Sequence, residues 1–152
     1  MITMTPALAN GLLASGSFKN QMDGCKIYYF SGPVPANAAA ALTVPGTHQA
    51  LVTISESGGG TGLTFASSAA NGVLPKTSSE NWSGTIANSG TVTFFRICQS
   101  GDNGQAADDG SKKRIQGTVG TDASFDLIVS TTTLVASNTA TLNTAQIVQP
   151  QS

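Results

Sequence analysis

From residue 25 onward, short blocks of Val, Ile, Thr, Phe and Tyr alternate with turns of Gly, Asn, Ser and Pro. This alternation predicts many short strands, because β-branched and aromatic residues favour extended backbone and turn residues interrupt it. No helix-rich segment follows residue 41, which argues against parallel βαβ units. Eight or nine short strands favour an all-β fold, a β-sandwich with jelly-roll-like wiring. The predicted strands cover residues 25–30, 50–55, 63–65, 72–74, 81–87, 91–98, 114–119, 125–135 and 141–148.

The beginning of the chain has a different pattern, which predicts one or two short helices. Thr5 and Pro6 suit the N-cap and the first helical position. Leu8 and Leu12 share one helix face because they are four residues apart. Phe18 lies in a second short helical segment, which a glycine separates from the first.

These patterns divide the chain into two parts. We expect residues 1–22 to form an N-terminal helical segment and residues 23–152 to form the β-sandwich domain. Within the domain, the sequence Ala-Asn-Ser-Gly at 87–90 is typical of a tight turn. We therefore expect a hairpin that joins the predicted strands 81–87 and 91–98.

Charged residues are sparse and nearly balanced. The chain has eight acidic and seven basic side chains, a net charge of −1, and only 10% charged residues. Such a chain has no field that attracts nucleic acid or an anionic membrane, and no segment is apolar enough to span a bilayer. The N-terminus lacks the basic residues of a signal peptide, so we expect folding in a reducing cytoplasm. Low charge leaves a surface prone to association, which suits a subunit of an assembly.

Two cysteines and one histidine are the strongest candidates for chemistry. Cys25 and Cys98 both lie in predicted strands, where a buried structural thiol is the favoured interpretation. A disulfide between them and a metal or redox site are the alternatives. With His48 they supply three zinc ligands at best, and a structural zinc site needs four. We therefore expect no metal and no cofactor, and we interpret His48 as a strand-edge residue.

No arrangement in the sequence predicts catalysis. The chain has no G-x-S-x-G motif, and its only imidazole is His48. Most carboxylates lie in turns rich in Gly, Ser and Asn, where Asp is common for local reasons. Asp126, in the sequence Ser-Phe-Asp-Leu-Ile-Val, is the exception because strand alternation places it on a sheet face. We expect no catalytic residue and interpret the protein as a non-enzyme.

The polar segment at residues 99–113 contains three aspartates and ends in the only basic cluster, Ser-Lys-Lys-Arg at 111–114. Its aspartates nearly cancel the basic residues, and nucleic-acid binding needs many more phosphate contacts. We therefore expect a solvated loop that leads into a strand, with Arg114 at the solvated entrance of that strand.

Several blocks together resemble a known family. They are LLASGSFKNQMDGCKIYYFSGPVPANA, GLTF, NGVLPK, WSGTIANSGTVTFFRI and RIQGTVGTDASFDLIVSTTTLVA, in that order. Their order and spacing are similar to those of small structural proteins of tailed-phage virions, of the head decoration or cement type. The likeness extends from about Thr5 to Val148. Two features depart from the family pattern: two added aromatics in IYYFSG, and Gln116 at a position where Asp is frequent.

The resemblance implies a virion component that decorates or cements the capsid, with a β-sandwich body and no enzyme activity. Its implied partners are the major capsid protein and other copies of itself, in a homotrimer. Its implied location is the capsid surface of a virion that assembles in the host cytoplasm. An apolar centre for such a contact is predicted at Leu8, Leu12, Leu13 and Phe18, although a cover over one end of the sandwich is the favoured interpretation of these residues.

Two other functions are compatible with the same sandwich. One is a structural protein of the tail, the neck or a fibre base. The other is a carbohydrate-binding module, which would use exposed aromatics such as Trp82, Tyr28 and Tyr29. A single Trp in this context more often anchors the core of a sandwich, so we interpret Trp82 as a core residue.

Overall fold

The fold is all-β. A computed structural model describes residues 1–148 of the chain. Strands account for 37% of the residues and two short helices for 9%, so the predicted all-β, sandwich-like class with a short N-terminal helical segment is confirmed. The last four residues of the predicted domain, 149–152, lie outside the described residues.

Two helices and twelve short strands follow one another along the described residues. In chain order they are β1 (Thr3–Met4), α1 (Pro6–Ala14), α2 (Phe18–Met22), β2 (Lys26–Ser31), β3 (Gln49–Glu56), β4 (Val73–Pro75), β5 (Trp82–Thr85), β6 (Gly90–Thr91), β7 (Phe94–Cys98), β8 (Arg114–Gly120), β9 (Leu127–Ile128), β10 (Thr133–Leu134), β11 (Thr139–Leu142) and β12 (Gln146–Val148).

One large sheet carries the fold. Its strand order is β1-β8-β7-β2-β3-β5-β11, antiparallel throughout, and β9 pairs parallel to the end of β8. Ile27 of β2 lies opposite Ile97 of β7, which in turn lies opposite Ile115 of β8. Two ribbons, β6 with β10 and β4 with β12, lie outside this sheet.

Side chains alternate across the central strands and so form two buried layers. Ile27 and Tyr29 of β2 belong to the main core, which α1 and α2 help to cover. Phe30 points to the opposite face, where it stacks on Phe94 with ring centroids 5.2 Å apart. The main core is built around Leu8, Leu51, Ile54, Leu63, Trp82 and Phe95, all of them buried.

The N-terminal helices form where the sequence predicts them. Pro6 opens α1, and the Ser17 hydroxyl caps α2 by accepting the Asn20 N–H. Thr5 precedes α1 as predicted, but its side chain does not cap the helix. Its Oγ1 donates to the Lys112 carbonyl, 2.6 Å away, and so ties the start of α1 to the segment that enters β8.

Several predicted strands differ from the observed ones in length. Each of the stretches 91–98, 125–135 and 141–148 divides into two short strands, because its two halves pair with different partners. The stretch 63–65 forms only isolated bridges, at Leu63 and Phe65. Strand β1 has no counterpart in the sequence prediction, since two residues are too few for a pattern.

The predicted hairpin at residues 87–90 is wrong. Strand β5 pairs with β3 and β11, whereas β7 pairs with β2 and β8, so the strands before and after this turn are not neighbours. Between them, β6 leaves the main sheet to pair with β10. The turn is real, but the chain crosses from one part of the sheet to another instead of folding back.

Candidate functional site

A buried polar layer lies on the face of the sheet opposite the main core. We call it the arginine layer and define it as Arg96, Arg114, Gln116 and Asp102, all of which are buried. Three of these residues are on β7 and β8, where they alternate with core residues such as Ile97. Asp102 comes from the loop that connects these two strands. Burial of charged groups in this number demands specific partners.

Arg114 and Asp102 form a bidentate ion pair. Arg114 Nη2 donates to Asp102 Oδ1 at 2.8 Å, and Nε donates to Oδ2. Desolvation opposes the ionisation of Asp102, but hydrogen bonds from Arg114 and from the Gly104 N–H outweigh it, so the pKa of Asp102 lies below its ordinary value. The remaining Arg114 donor, Nη1, binds the Ala106 carbonyl at 2.7 Å. The pair is therefore charged, and each nitrogen of the guanidinium and each oxygen of the carboxylate takes part in at least one hydrogen bond.

Arg96 has no carboxylate among its hydrogen-bond partners in residues 1–148. Its Nε and Nη2 donate to Gln116 Oε1 at 2.9 and 2.8 Å, and other bonds reach the carbonyls of Gly104 and Asn37. Desolvation, and then repulsion from Arg114, lower the pKa of Arg96 to about 10. Amide and carbonyl dipoles thus stabilise this guanidinium without a counter-ion in contact.

The arginine layer holds two long segments against the sheet. Residues 33–48 supply carbonyls to Arg96, Arg114 and Gln116, and residues 99–113 supply Asp102 and further carbonyls. Neither segment contains a strand, so neither is held by backbone hydrogen bonds to a neighbouring strand. The hydrogen bonds of the arginine layer hold both segments in place instead.

The expectation of a solvated loop leading into a solvated Arg114 is therefore wrong for its two key residues. Asp102 is 8% exposed and Arg114 is fully buried, because each satisfies the other. The sequence did contain one signal: Arg96 stands in the middle of the apolar run Phe-Phe-Arg-Ile-Cys. A charge inside an apolar strand requires a buried partner, although the sequence does not say which residue supplies it.

Both cysteines are buried free thiols, so the disulfide alternative is excluded. Cys25 belongs to the main core, whereas Cys98 lies on the opposite face of the sheet against Gly104. Burial, together with the nearby Asp23 charge, raises the pKa of Cys25 to about 12, and burial raises the pKa of Cys98 as well. A thiol with such a pKa has almost no thiolate at neutral pH and is unreactive.

We therefore expect neither thiol to react with a bulky disulfide reagent while the protein is folded. At about pH 8 labelling should proceed only as fast as the protein unfolds, because the thiolate is the reactive species and both sulfurs are inaccessible. In denaturant, both cysteines should label rapidly. Mass spectrometry of samples taken at successive times measures the labelling. Fast labelling of Cys25 in the folded protein would contradict its burial.

The four residues predicted to centre an interface do not form one exposed surface. Leu8 is completely buried in the chain's own core, and Leu12 and Phe18 pack against that core. Leu13 is 88% exposed. Covering one end of the core is thus the role of three of these residues, and an intersubunit contact stays a prediction for Leu13.

The aromatic residues suggested for sugar binding are largely inaccessible. Trp82 is buried, as predicted for a core anchor, and its Nε1–H donates to Glu80 Oε2 at 2.7 Å. Tyr29 is buried, and Tyr28 is half-buried against the small cluster around Phe30. No flat, exposed ring remains among these three to stack on a sugar.

His48 and Asp126 make contacts that hold the fold together, and Asp126 Oδ2 forms an ion pair with the Met1 N-terminus at 2.9 Å. His48, just before β3, packs its ring edge-on against Phe94, and its Nε2 lies 3.0 Å from the Pro33 carbonyl. Asp126 Oδ2 accepts the Thr118 N–H at 2.9 Å, in place of a neighbouring strand's carbonyl. Within residues 1–148, no three His, Cys, Asp or Glu side chains are arranged to hold a metal ion.

A shallow cleft beside the end of α2 is lined by residues on both sides of β4, namely 64–67 and 77–78. Its charged groups are Lys19 and Asp23, and Lys19 Nζ donates to Asp23 Oδ2 at 2.6 Å and to the Phe65 carbonyl at 2.8 Å. Asp23 Oδ1 accepts the Phe65 N–H. These groups bind one another, so the cleft presents no charge that is free to bind a ligand.

Exposed apolar side chains also lie along the edge of β8. Strands β1 and β9 both pair with β8. Met4 and Ile128 on these strands, and Ile2 and Phe125 just before them, are exposed apolar side chains. We call these four residues the apolar edge. The sequence analysis missed it, because β1 was not predicted and because the residues near 125 were assigned to one long strand.

Neither α1 nor α2 is long and apolar enough to cross a membrane. Comparisons of the chain with family models, with curated proteins and with solved structures found no match.

Proposed function

We propose that this protein is a structural component of a tailed-phage virion that decorates or cements the capsid by binding major capsid protein subunits. It acts at the capsid surface as a homotrimer, on virions that assemble in the host cytoplasm. It performs no catalysis in this role. The resemblance of the sequence blocks to head decoration proteins motivates the proposal, and the surface chemistry supports it.

The apolar edge is the observation that carries the proposal. Ile2, Met4, Phe125 and Ile128 are between 38% and 56% exposed, although side chains of this type are usually buried. They lie along one edge of β8, on both faces of the sheet, and a neighbouring subunit that covers this edge would remove all four from water. Asp126 and Gln146, which line the adjacent depression with Phe125, supply polar groups of the kind found at an interface rim.

The mechanism of such a protein is mass action. A subunit that binds only the assembled shell stabilises that state by the free energy of its binding. Three linked subunits on three equivalent capsid sites would bind more tightly than one, since the second and third contacts are intramolecular.

Binding to pre-assembled shells of the major capsid protein tests the proposal. We expect the purified protein to sediment with the shells, and we expect Ile128→Asp to weaken binding about 10-fold or more, because it buries a charge in the contact. Val34→Asp is the matched control: Val34 is 45% exposed, and it lies in residues 33–48, outside the apolar edge.

Two outcomes would contradict the proposal. In the first, the wild-type protein remains in the supernatant at every shell concentration. In the second, Ile128→Asp and Val34→Asp bind as tightly as the wild type, which would remove the apolar edge from the contact.

A further inference from the structure

Strand β11 ends the main sheet and has an open edge. One side of Thr139–Leu142 pairs with β5 in continuous register, from Thr139 opposite Thr85 to Leu142 opposite Trp82. No backbone or side-chain hydrogen bond from residues 1–148 reaches its other side. Thr139 and Thr141 are exposed.

The hydrogen bonds around β5 show which groups of β11 point outward. The Ile86 N–H donates to the Asn138 carbonyl, whereas the Ala87 N–H donates to Leu51 of β3. Alternate residues therefore bond to opposite neighbours, so Trp82 and Gly84 bond to β11. The backbone N–H and C=O groups of their partners, Leu142 and Ala140, therefore bond to β5. The N–H and C=O groups of Thr139 and Thr141 consequently face outward, unpaired among the described residues.

Apart from its short length of four residues, this edge lacks the features that usually protect a sheet. Lysine, proline and β-bulges are the common means of blocking an edge strand, and β11 has none of them. Every charged side chain of the protein lies between Lys19 and Asp126. The segment from Leu127 to Val148, which contains β11, is therefore uncharged, and two copies of it can approach without electrostatic repulsion.

We propose that β11 pairs antiparallel with β11 of a second copy of this chain. The two-fold axis passes beside Ala140. Thr139 then exchanges backbone hydrogen bonds with Thr141 of the other copy, and Thr141 with Thr139, so that all the outward groups are satisfied by a single symmetric register.

The side chains fit this register. Thr139 and Thr141 lie on one face of the strand, and each meets a threonine of the other copy, which is a favourable cross-strand pair. Ala140 meets its own counterpart at the close spacing of a non-hydrogen-bonded pair, where a small side chain is suited. The same residues thus supply both halves of the contact, which favours a second copy over an unrelated strand.

This inference does not depend on the proposed function, and it uses a surface other than the apolar edge. A two-fold contact doubles the mass of whichever species the protein otherwise forms: a monomer becomes a dimer, and a trimer becomes a pair of trimers. The protein can therefore fail to bind the capsid protein and still pair through β11, or bind the capsid protein without pairing through β11.

The test is the variant Thr141→Pro. Proline removes the outward N–H of residue 141 but leaves the inward bonds of Ala140 and Leu142 to β5 intact. Thr141→Val is the matched control, because it keeps the backbone group and the β propensity. A second variant, Thr139→Lys combined with Thr141→Lys, places like charges opposite each other across the axis and covers the case in which the proline variant does not fold.

Sedimentation velocity from about 1 μM to about 1 mM, the range expected for a small contact, measures the mass. We expect the wild type and Thr141→Val to reach twice the mass of Thr141→Pro and of the double lysine variant. Amide exchange of Thr139 and Thr141 should slow as concentration rises, while that of exposed turn residues stays constant. Equal masses for the wild type and the folded blocking variants, or amides of residues 139 and 141 that exchange rapidly at every concentration, would overturn the proposal.

Discussion

Asp102→Asn is expected to destabilise the fold by about 3–5 kcal/mol, the usual cost of removing one partner from a buried ion pair. The substitution keeps the shape of the side chain but leaves Arg114, which is fully buried, without a carboxylate. It also weakens the attachment of residues 99–113 to the sheet, since Asp102 is the carboxylate that joins that segment to β8. Urea unfolding, followed by the fluorescence of the buried Trp82, measures the change in the free energy of unfolding.

Asp109→Asn is the matched control for Asp102→Asn. Asp109 lies in the same segment and forms an ion pair with Lys112 at 3.3 Å, but its side chain is 61% exposed. Exposed pairs contribute only about 0–1 kcal/mol, so this variant should unfold nearly like the wild type. If the two variants lost the same amount of stability, the arginine layer would have no special role in the fold.

The same pair makes stability depend on acid pH. The folded-state pKa of Asp102 lies below its unfolded value, so the stabilisation is complete above the unfolded value, near pH 4. It is lost as the pH falls through the lower, folded-state pKa, because the protonated carboxyl no longer pairs with Arg114. In Asp102→Asn the fall in the free energy of unfolding below about pH 4 should therefore be shallower than in the wild type.

Leu8→Ala should destabilise the protein by about 2–5 kcal/mol, because it removes a fully buried side chain and leaves a cavity in the main core. Leu8 is on α1, and the core that it enters is otherwise built from the strands. The prediction therefore tests whether residues 1–22 are part of the same cooperative unit as the sheet. We expect Leu8→Ala to unfold in a single transition, the same by fluorescence and by circular dichroism, with its midpoint at a lower urea concentration than that of the wild type.

Leu13→Ala offers a control in the same helix. Leu13 is 88% exposed, so its truncation should change the free energy of unfolding by no more than about 0.5 kcal/mol. The contrary result is a wild type that unfolds in two transitions, the first of which is lost in Leu8→Ala while the second keeps its midpoint. Such a result would show that the helical segment folds independently of the sheet.

Local pattern predicts much of this fold. In β2, Ile27 and Tyr29 alternate with Tyr28 and Phe30, and this period of two is enough to place the strand between two layers. The same logic places β3 and β8 within one residue of their predicted bounds, whereas β7 begins three residues after the predicted start of its strand. Pro6 marks the first helix correctly because proline suits its first turn.

Strand pairing is where local pattern fails. The partners of β5 are β3 and β11, which are separated from it by long stretches of chain, and the turn at 87–90 contains no information about them. A turn sequence such as Ala-Asn-Ser-Gly predicts a change of direction but not the identity of the neighbouring strand. The predicted hairpin was wrong for this reason.

The arginine layer shows a second limit. Lys112, Lys113 and Arg114 look like one solvated basic cluster, but only the last of them is fully buried. The difference arises from strand alternation, which directs Arg114 toward the face that residues 99–113 cover. Gln116, noted as a departure from the family pattern, accepts two bonds from Arg96 and so belongs to the same layer.

The candidate surfaces follow from the same long-range pairing. The apolar edge exists because β1 and β9 meet along β8, and the open edge exists because β11 ends the sheet. Neither surface is a continuous segment of sequence whose partners can be predicted locally. Leu13, the exposed member of the interface predicted from the sequence, lies on α1 and is not part of the apolar edge.

The number of copies of this protein in a purified phage particle tests the proposed function most directly. Quantitative mass spectrometry against the major capsid protein gives that number. A decoration or cement protein should be present at on the order of hundreds of copies, in a fixed ratio to the symmetry-related sites of the shell. About a dozen copies would instead indicate a tail, neck or fibre-base position, because those rings have low symmetry numbers. A purified, infectious particle that lacks the protein would contradict the account.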